Sequence, residues 1–157
     1  MKLAELIGET IIEIRYNYTY QNEYDMQEFF AYLKLSNGLI LEIPHYFDLE
    51  INENAELNKI FKIAKKPNNH CLKQIENQKI MDIHFWFYEK ESDEEKKAYL
   101  ELENEIYITE ENYGPMGLTN IDLEILSKAE FEKLKAELAD GFEIKSYSKE
   151  LKNVYRK

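Results

Sequence analysis

The chain has 157 residues, of which 44% are hydrophobic and 32% are charged, and its formal net charge is −11. A chain of this size and apolar content can bury a core of its own, which favours a single folded domain over 1–157 and argues against disorder. The negative charge repels phosphates and anionic lipids, so nucleic acid and membranes are disfavoured as partners.

The chain also lacks the signals of export. No stretch approaches the ~18 consecutive apolar residues of a membrane span, and the first residues lack the basic and then apolar pattern of a signal peptide. Cys71 is the only cysteine, so no disulfide forms within the chain. These features predict a cytoplasmic protein.

The chain resembles itself. Three pairs of segments align in the same order: Leu3–Tyr18 with Leu72–Phe87, Ala31–Glu42 with Ala98–Thr109, and Ala55–Ile60 with Ala129–Leu134. The pattern predicts two diverged repeat units, about 1–68 and 69–141, followed by a C-terminal strand and tail at 142–157. Each unit is expected to contain a short helical turn, a strand, a hairpin and a helix.

The first strand of each unit alternates between apolar and polar residues, which predicts half-buried strands. The inner faces are expected to carry Ile12, Ile14, Tyr16 and Tyr18 in the first unit and Met81, Ile83, Phe85 and Phe87 in the second. The outer face of the second strand is expected to carry Asp82, His84, Trp86 and Tyr88.

The hairpin that follows is predicted from its register. A three-residue loop, Ser36-Asn37-Gly38, places Ala31, Leu33 and Leu35 beside Leu39, Leu41 and Ile43 on one face, whereas a two-residue loop would not. Gly38 is expected in the left-handed conformation that glycine adopts readily. The second unit has Glu105 at this position, so its turn must differ or carry strain.

Two helices complete the predicted elements. Ser127 and Glu130 form a capping box that predicts a helix over 128–139, with Asp140-Gly141 as its stop. The apolar stripe over 55–65 predicts the other helix, which ends before Pro67. The fold class expected is α+β, with a mainly antiparallel sheet of six to seven strands, helices on one face, and two αβββα-like repeats.

No catalytic, cofactor or metal-binding motif occurs in the sequence, so neither a cofactor nor a metal is predicted. His45, His70 and His84 lie in different segments, unlike the clustered ligands of a metal site. His84 shares a strand face with Asp82, and the two could act as an acid–base pair. The alternative is a structural polar pair, because the first unit has Glu13 and Arg15 at the same positions.

Trp86 is the residue that stands out, because it is the only tryptophan and is predicted on the outer face with His84 and Tyr88. An aromatic side chain rimmed by charge is typical of interface centres. The alternative is that a helix or the tail covers this face and makes Trp86 part of the core. The acidic run that follows supplies the charged candidates for partner binding, Glu91, Asp93, Glu94 and Glu95.

Three short patterns resemble small bacterial immunity proteins of toxin–immunity systems. They are Leu6-Ile7-Gly8 leading into 11–14, Leu33–Leu35 with Asn37-Gly38, and 114–118 ahead of Asp122-Leu123. The resemblance implies a non-enzymatic cytoplasmic protein that binds and neutralises a cognate toxin domain.

The leading hypothesis is therefore a protein-binding module that uses Trp86, Tyr88, His84 and the acidic run against a partner with a basic surface. Such an association would be sensitive to salt, because exposed charges are screened over ~8 Å at physiological ionic strength. Two alternatives stay open: a small hydrolase or isomerase that uses His84 and Asp82, and a homo-oligomeric structural protein joined through sheet edges or the aromatic face.

Overall fold

The computed structural model describes residues 3–21, 26–43, 55–88, 97–113 and 120–152. Within these ranges the strands are β1 (Thr10–Gln21), β2 (Met26–Leu35), β3 (Ile40–Ile43), β4 (Gln78–Tyr88), β5 (Ala98–Leu102), β6 (Ile106–Tyr113), β7 (Asn120–Ser127) and β8 (Phe142–Ser146). The helices are α1 (Ala55–Ile63), α2 (His70–Lys73) and α3 (Lys128–Ala136), with a 3-10 turn at Leu3–Leu6 and a π-helical turn at Tyr147–Leu151.

The strands form one sheet in the order β1-β2-β7-β6-β5-β4-β8, and β3 pairs with β2. The pairings are antiparallel except for a short parallel contact between β2 and β7 at Glu28 and Ile121. β1 also pairs with β4, at Thr10 with Lys79 and at Ile11 with Gln78. Six strands therefore close into a ring, and β8 lies outside it against β4.

The predicted α+β class with a mainly antiparallel sheet is confirmed, although the described residues contain eight strands where six to seven were expected. The strand that sequence reasoning missed is β7, which lies in the longer insertion of the second predicted unit. Its presence means that the elements of 1–68 and 69–141 do not match one for one.

The inner face of the ring holds the main core, to which both parts of the chain contribute. Its fully buried side chains include Leu6, Ile11, Ile14, Leu33, Leu35, Ile75, Ile80, Ile83, Leu100 and Ile108. Leu72 of α2 and Leu151 of the π-helical turn also pack in this cluster. Burial of these aliphatic side chains, each of which contributes about 1.5–3 kcal/mol, is the main stabilising term of the fold.

The outer face carries the two longer helices. Phe61 of α1 packs against Tyr32 and Ile40 on β2 and β3. Phe131 of α3 packs in the same way against Tyr99 and Tyr107 on β5 and β6. The longer helices thus share the outer face of the sheet, whereas the shorter helical segments contact the inner core, so the expectation of helices on one face holds only in part.

The predicted hairpin register is confirmed. Ala31 pairs with Ile43 and Leu33 with Leu41, across the loop Ser36–Gly38. Gly38 has a φ of 91° and Glu105 a φ of 61°. Each donates its amide hydrogen to a carbonyl at 2.9 Å, that of Leu35 or of Leu102 respectively. The second turn therefore has the shape of the first and places a side chain in the left-handed region, which is the strain expected there.

The assignment of Ile12 and Met81 to the inner face is wrong. The β1–β2 register shifts between Ile11 and Glu13, and the β4–β5 register shifts between Ile80 and Asp82. A bulge inserts an extra residue that does not continue the alternation, so Ile12 and Met81 turn outward and are each 46% exposed.

Helix α3 starts as predicted. The Ser127 hydroxyl accepts the Glu130 amide, and the Glu130 carboxylate accepts the Ser127 amide at 2.7 Å, which completes the capping box. The helix ends at Ala136, about one turn before the predicted stop at Asp140-Gly141. Its C-cap residue is Glu137. None of the helices in the described ranges is long and apolar enough to cross a membrane.

Candidate protein-binding surfaces

The outer face of β4 is covered, not open. His84 is only 5% exposed. Its ring lies edge-on to Phe131 of α3 with 5.1 Å between ring centroids, and 5.5 Å from the ring of Tyr107. The prediction of a half-buried strand fails for the middle of β4, because α3 packs over the face that alternation marked as polar.

The buried polar groups on this face are paired differently from the prediction. His84 Nε2 lies 2.6 Å from a carboxylate oxygen of Glu101, on the neighbouring strand β5. Asp82 instead accepts the Ser146 hydroxyl at 2.5 Å, the Ser148 amide at 3.0 Å and the Ile83 amide at 2.8 Å. Sequence reasoning missed Glu101, which the β4–β5 register places opposite Asp82.

Both carboxyl groups are held in their ionised form. The hydrogen bond from His84 lowers the pKa of Glu101 and outweighs its burial. Burial alone would raise the pKa of Asp82, but its hydrogen bonds from Ser146, Ser148 and Ile83 together lower it. Burial, reinforced by the nearby charge of Glu101, raises the pKa of the Tyr107 hydroxyl. The site is thus a network with two buried or half-buried carboxylates.

The same three side chains could be considered as metal ligands, because one ligand atom from each of Asp82, His84 and Glu101 lies within 4.8 Å of the others. However, both oxygens of Asp82 already accept hydrogen bonds, and Glu101 accepts one from His84. Only Nδ1 of His84 is buried without a partner in the described residues. A metal ion would have to displace the bonds that join β4 to β8, so the arrangement fits a structural network better than a metal site.

Trp86 lies between the two expected environments. Its side chain is half-buried against the cluster under α3, and its ring meets that of Phe142 edge-on at 5.7 Å. Tyr88 pairs with Phe142 through the backbone, and its side chain lies beyond what the structure describes. Glu91, Asp93, Glu94 and Glu95 fall in a segment outside the described residues. Of the residues predicted to form the binding surface, Trp86 is therefore the one whose side chain is described and partly exposed, because His84 is buried.

Charge is distributed unevenly along the described chain. Up to residue 88 the described ranges contain 8 acidic and 8 basic side chains. From residue 97 on they contain 13 acidic and 7 basic ones, a balance of −6. The described residues from 97 on, which include α3 and β8, therefore carry the negative excess, and β8 pairs with β4 at Trp86.

A second candidate surface is the outer edge of β1. Tyr18 and Tyr20 are 46% and 50% exposed. Tyr16 directs its amide and carbonyl away from β2, because it exchanges two 2.9 Å hydrogen bonds with Lys65. Alternate residues of a strand point the same way, so the amide and carbonyl of Tyr18 also face this edge. In the ranges that the structure covers, no hydrogen bond reaches them.

The corresponding edge of β4 is filled. β8 pairs with β4 from His84 to Tyr88, and the alignment of Leu3–Tyr18 with Leu72–Phe87 relates this stretch to the one around Tyr16 and Tyr18. No described strand takes the place of β8 along β1. The uncharged run Asn17–Gln21 is visible in the sequence, but its position at an edge follows only from the order of the strands.

Comparison with known proteins adds no assignment: no family model, no curated protein and no solved structure matches this chain.

Proposed function

We propose that this chain is a non-enzymatic protein-binding module of the immunity type, which neutralises a partner domain with a basic surface. The observation that carries the proposal is the excess of acidic residues among the described residues from 97 on, a part whose strands β5 and β8 pair with β4, the strand that carries the partly exposed Trp86. The acidic run Glu91–Glu95 precedes β5 in sequence and adds to the same charge. We place this binding in the cytoplasm, where the exposed thiol of Cys71 stays reduced.

Trp86 suits the role of an anchor at the margin of this acidic region. One side of the indole is fixed by Phe142 and by the cluster under α3, so little rotational freedom remains to be lost on binding. The exposed part can still be covered by a partner. A rigid aromatic ring that is already half packed contributes contact area at a low entropic cost.

The enzymatic alternative has less support. A general acid or base must come within hydrogen-bonding distance of its substrate. His84 lies beneath Phe131 and Tyr107, and Asp82 is engaged by the segment that follows β8. Helix α3 would have to move before a substrate could reach His84, and the segment that follows β8 before one could reach Asp82.

The binding proposal is tested with the purified chain as bait in lysate of its native host, followed by affinity measurements with the purified partner. We expect a stoichiometric protein partner whose dissociation constant rises at least ~10-fold between about 50 and 500 mM NaCl, since exposed charges are screened. Trp86→Ala should weaken binding by ~10-fold or more if this ring is an anchor.

A matched pair of double variants separates the acidic part from the rest. Glu103→Gln with Glu132→Gln removes two exposed charges from the acidic part, and Glu5→Gln with Glu56→Gln removes two from the balanced part. The first pair should weaken binding by several-fold and the second by less than about twofold. Equal effects, or no stoichiometric partner, would contradict the proposal.

We also propose that 1–68 and 69–141 are diverged copies of one unit. Support comes from features at aligned positions: the bulges at Ile12 and Met81, and the left-handed residues Gly8 and Asn77. The hydrogen bond from the Gly8 amide to the Ile80 carbonyl, at 2.8 Å, has its counterpart in that from Asn77 to Ile11, at 2.7 Å. An experimental structure that lacks either bulge would contradict this origin.

A further inference from the structure

The loop of the first hairpin, Ser36–Gly38, contains an exposed asparagine followed by an exposed glycine. Asparagine is a thermolabile residue, because the backbone nitrogen of the next residue can attack the carbon of its side-chain amide. Glycine in the next position obstructs this attack least. Among the described residues, no atom other than those of its chain neighbours lies within 4 Å of the position that a Cβ of Gly38 would take. The space beside Gly38 is therefore open.

The side chain of Asn37 is already turned towards the backbone that follows it. Its Oδ1 accepts the amide hydrogen of Leu39 at 2.9 Å, which fixes the orientation of the side-chain amide, because only its oxygen can accept. This bond folds the side-chain amide over the peptide that joins Asn37 to Gly38. It also places a donor on the oxygen that gains negative charge when the carbon is attacked. The electrophilic carbon is therefore both positioned and polarised.

The nucleophile, by contrast, is engaged. The amide of Gly38 donates to the carbonyl of Leu35 at 2.9 Å. The carboxylate of Glu9 holds this closed form of the loop, because its Oε2 accepts the Asn37 amide at 3.0 Å and also the Ser36 hydroxyl. The Gly38 nitrogen must leave Leu35 before it can attack, so the reaction requires local opening of the loop. Glu9 therefore controls how often the site becomes reactive.

We propose that Asn37 is a modification site that loses its side-chain amide without an enzyme, at a rate set by the carboxylate of Glu9. In the opened loop the Gly38 nitrogen gives up its proton and bonds to Cγ of Asn37. The bond from Cγ to the side-chain nitrogen breaks, and that nitrogen takes up a proton and leaves as ammonia. Water then adds to either carbonyl of the cyclic imide and gives aspartate or isoaspartate. The reaction consumes one water and needs neither an oxidant nor a reductant.

The second hairpin turn has the same shape but lacks these features. Asn104 takes the place of Asn37, and Glu105 takes the place of Gly38. The side chain of Asn104 donates to the carbonyl of Gln74 at 3.0 Å, so its amide is held by another segment. The side chain of Glu105 also obstructs the approach of its own backbone nitrogen to the asparagine. Asn104 is therefore expected to keep its amide.

Modification is expected to loosen the first hairpin. Aspartate at position 37 places a second negative charge next to Glu9, and isoaspartate adds a backbone atom to the loop. The length of that loop sets the register in which Leu33 pairs with Leu41, and both leucines lie in the main core. The modified chain should therefore be less stable than the parent chain. The reaction does not involve Trp86, so it is independent of partner binding there.

The test incubates the purified full chain, folded, in mildly alkaline buffer and follows Asn37 and Asn104 by peptide mass spectrometry. We expect the mass increase of an amide-to-acid conversion, with an isoaspartate fraction, at Asn37 and not at Asn104. Glu9→Ala should accelerate the conversion at least ~10-fold, because it removes two charge-assisted hydrogen bonds from the loop. The control Glu103→Ala, in the second turn, should change the rate by less than about twofold. An unmodified Asn37, or equal rates in wild type and Glu9→Ala, would overturn the proposal.

A second measurement on the wild type separates local opening from global unfolding. Amide hydrogen exchange is followed at Gly38 and at Leu100, which lies in the middle of the sheet, while urea is raised within the range where the chain stays folded. We expect the rates at Gly38 and Asn37 to stay nearly constant while that at Leu100 rises. If conversion of Asn37 rose in parallel with exchange at Leu100, the reaction would come from the unfolded chain, and control by Glu9 would be wrong.

Discussion

The outer edges of β1 and β4 begin from similar geometry and end differently. Each strand has a bulge near its start, directs an isoleucine, Ile14 or Ile83, toward the inner core and pairs with a neighbouring strand on one side. On its other side β4 binds β8, held by Asp82 through the Ser146 hydroxyl and the Ser148 amide. At the aligned position β1 has Glu13, which pairs with Arg15 and Lys66 instead. In the described residues, the buried carboxylate of Asp82 thus holds β8 along β4, whereas Glu13 is directed to cations and no described strand takes the place of β8 along β1.

The largest expected effect comes from removing the carboxylate that seals the β4 edge. Asp82→Ala leaves the Ser146 hydroxyl and the Ser148 amide without their acceptor, and we expect a loss of about 3 kcal/mol in the free energy of unfolding. Glu13→Ala removes a partly exposed ion pair with Arg15 and should cost less than about 1 kcal/mol. Urea denaturation of both variants measures the difference, and equal losses would contradict the assigned role of Asp82.

An intermediate effect is expected from acid. The pKa values of Asp82 and Glu101 in the folded chain lie below their ordinary values of 3.8 and 4.5. Their contribution to stability is therefore fully present above about pH 4.5 and is lost as the pH falls through the folded pKa values.

Glu101→Gln tests this pH dependence. The difference in free energy of unfolding between wild type and Glu101→Gln should be largest at neutral pH and should shrink below about pH 4. Glu56→Gln is the control, because its side chain is 65% exposed and its difference should stay small throughout. If the difference in free energy of unfolding between wild type and Glu101→Gln stayed constant with pH, ionisation of Glu101 would not stabilise the folded state.

The smallest effect concerns the two hairpin turns. Glu105→Gly should raise the free energy of unfolding by about 1 kcal/mol, because glycine adopts the left-handed conformation without the steric cost of a side chain. The ion pair lost with Lys128 is more than half exposed on both sides and offsets little of this gain.

Gly38→Ala is the reverse change in the other turn and should lower stability by about 1 kcal/mol. Thermal melts compare the two, with Glu103→Gly as the control, since Glu103 is not in the left-handed region. If Glu105→Gly destabilised the chain as much as Glu103→Gly, the strain assigned to Glu105 would be wrong.

Local patterns predicted the local geometry well. The register of the hairpin over Ser36–Gly38 followed from keeping leucines on one face, and the start of α3 followed from the Ser127–Glu130 spacing. These features depend on residues close in sequence. The outward turn of Ile12 and Met81 could not be predicted, because a bulge is set by how the neighbouring strand pairs.

The candidate surfaces depended on contacts that no local pattern contains. His84 was expected beside Asp82 on an open face, but α3, more than forty residues later, covers it, and Glu101 becomes its partner. The alternation did not predict a surface at the tyrosines of β1, because it assigned Tyr16 and Tyr18 to an inner face. The exposure of Tyr18 and Tyr20, at the C-terminal end of β1, follows only from the order of the strands in the folded sheet.

The short contact between Thr10 and Lys79 has a consequence for how the chain folds. It joins strands that are far apart in sequence, and the parallel contact of Glu28 with Ile121 is more distant still. Closing such long loops costs chain entropy before the contacts can repay it, so the ring is expected to form late and slowly. Until the ring closes, its aliphatic interior stays accessible to water. A nascent chain that ends before β7 lacks the strand that joins β2 to β6, so it cannot complete the ring.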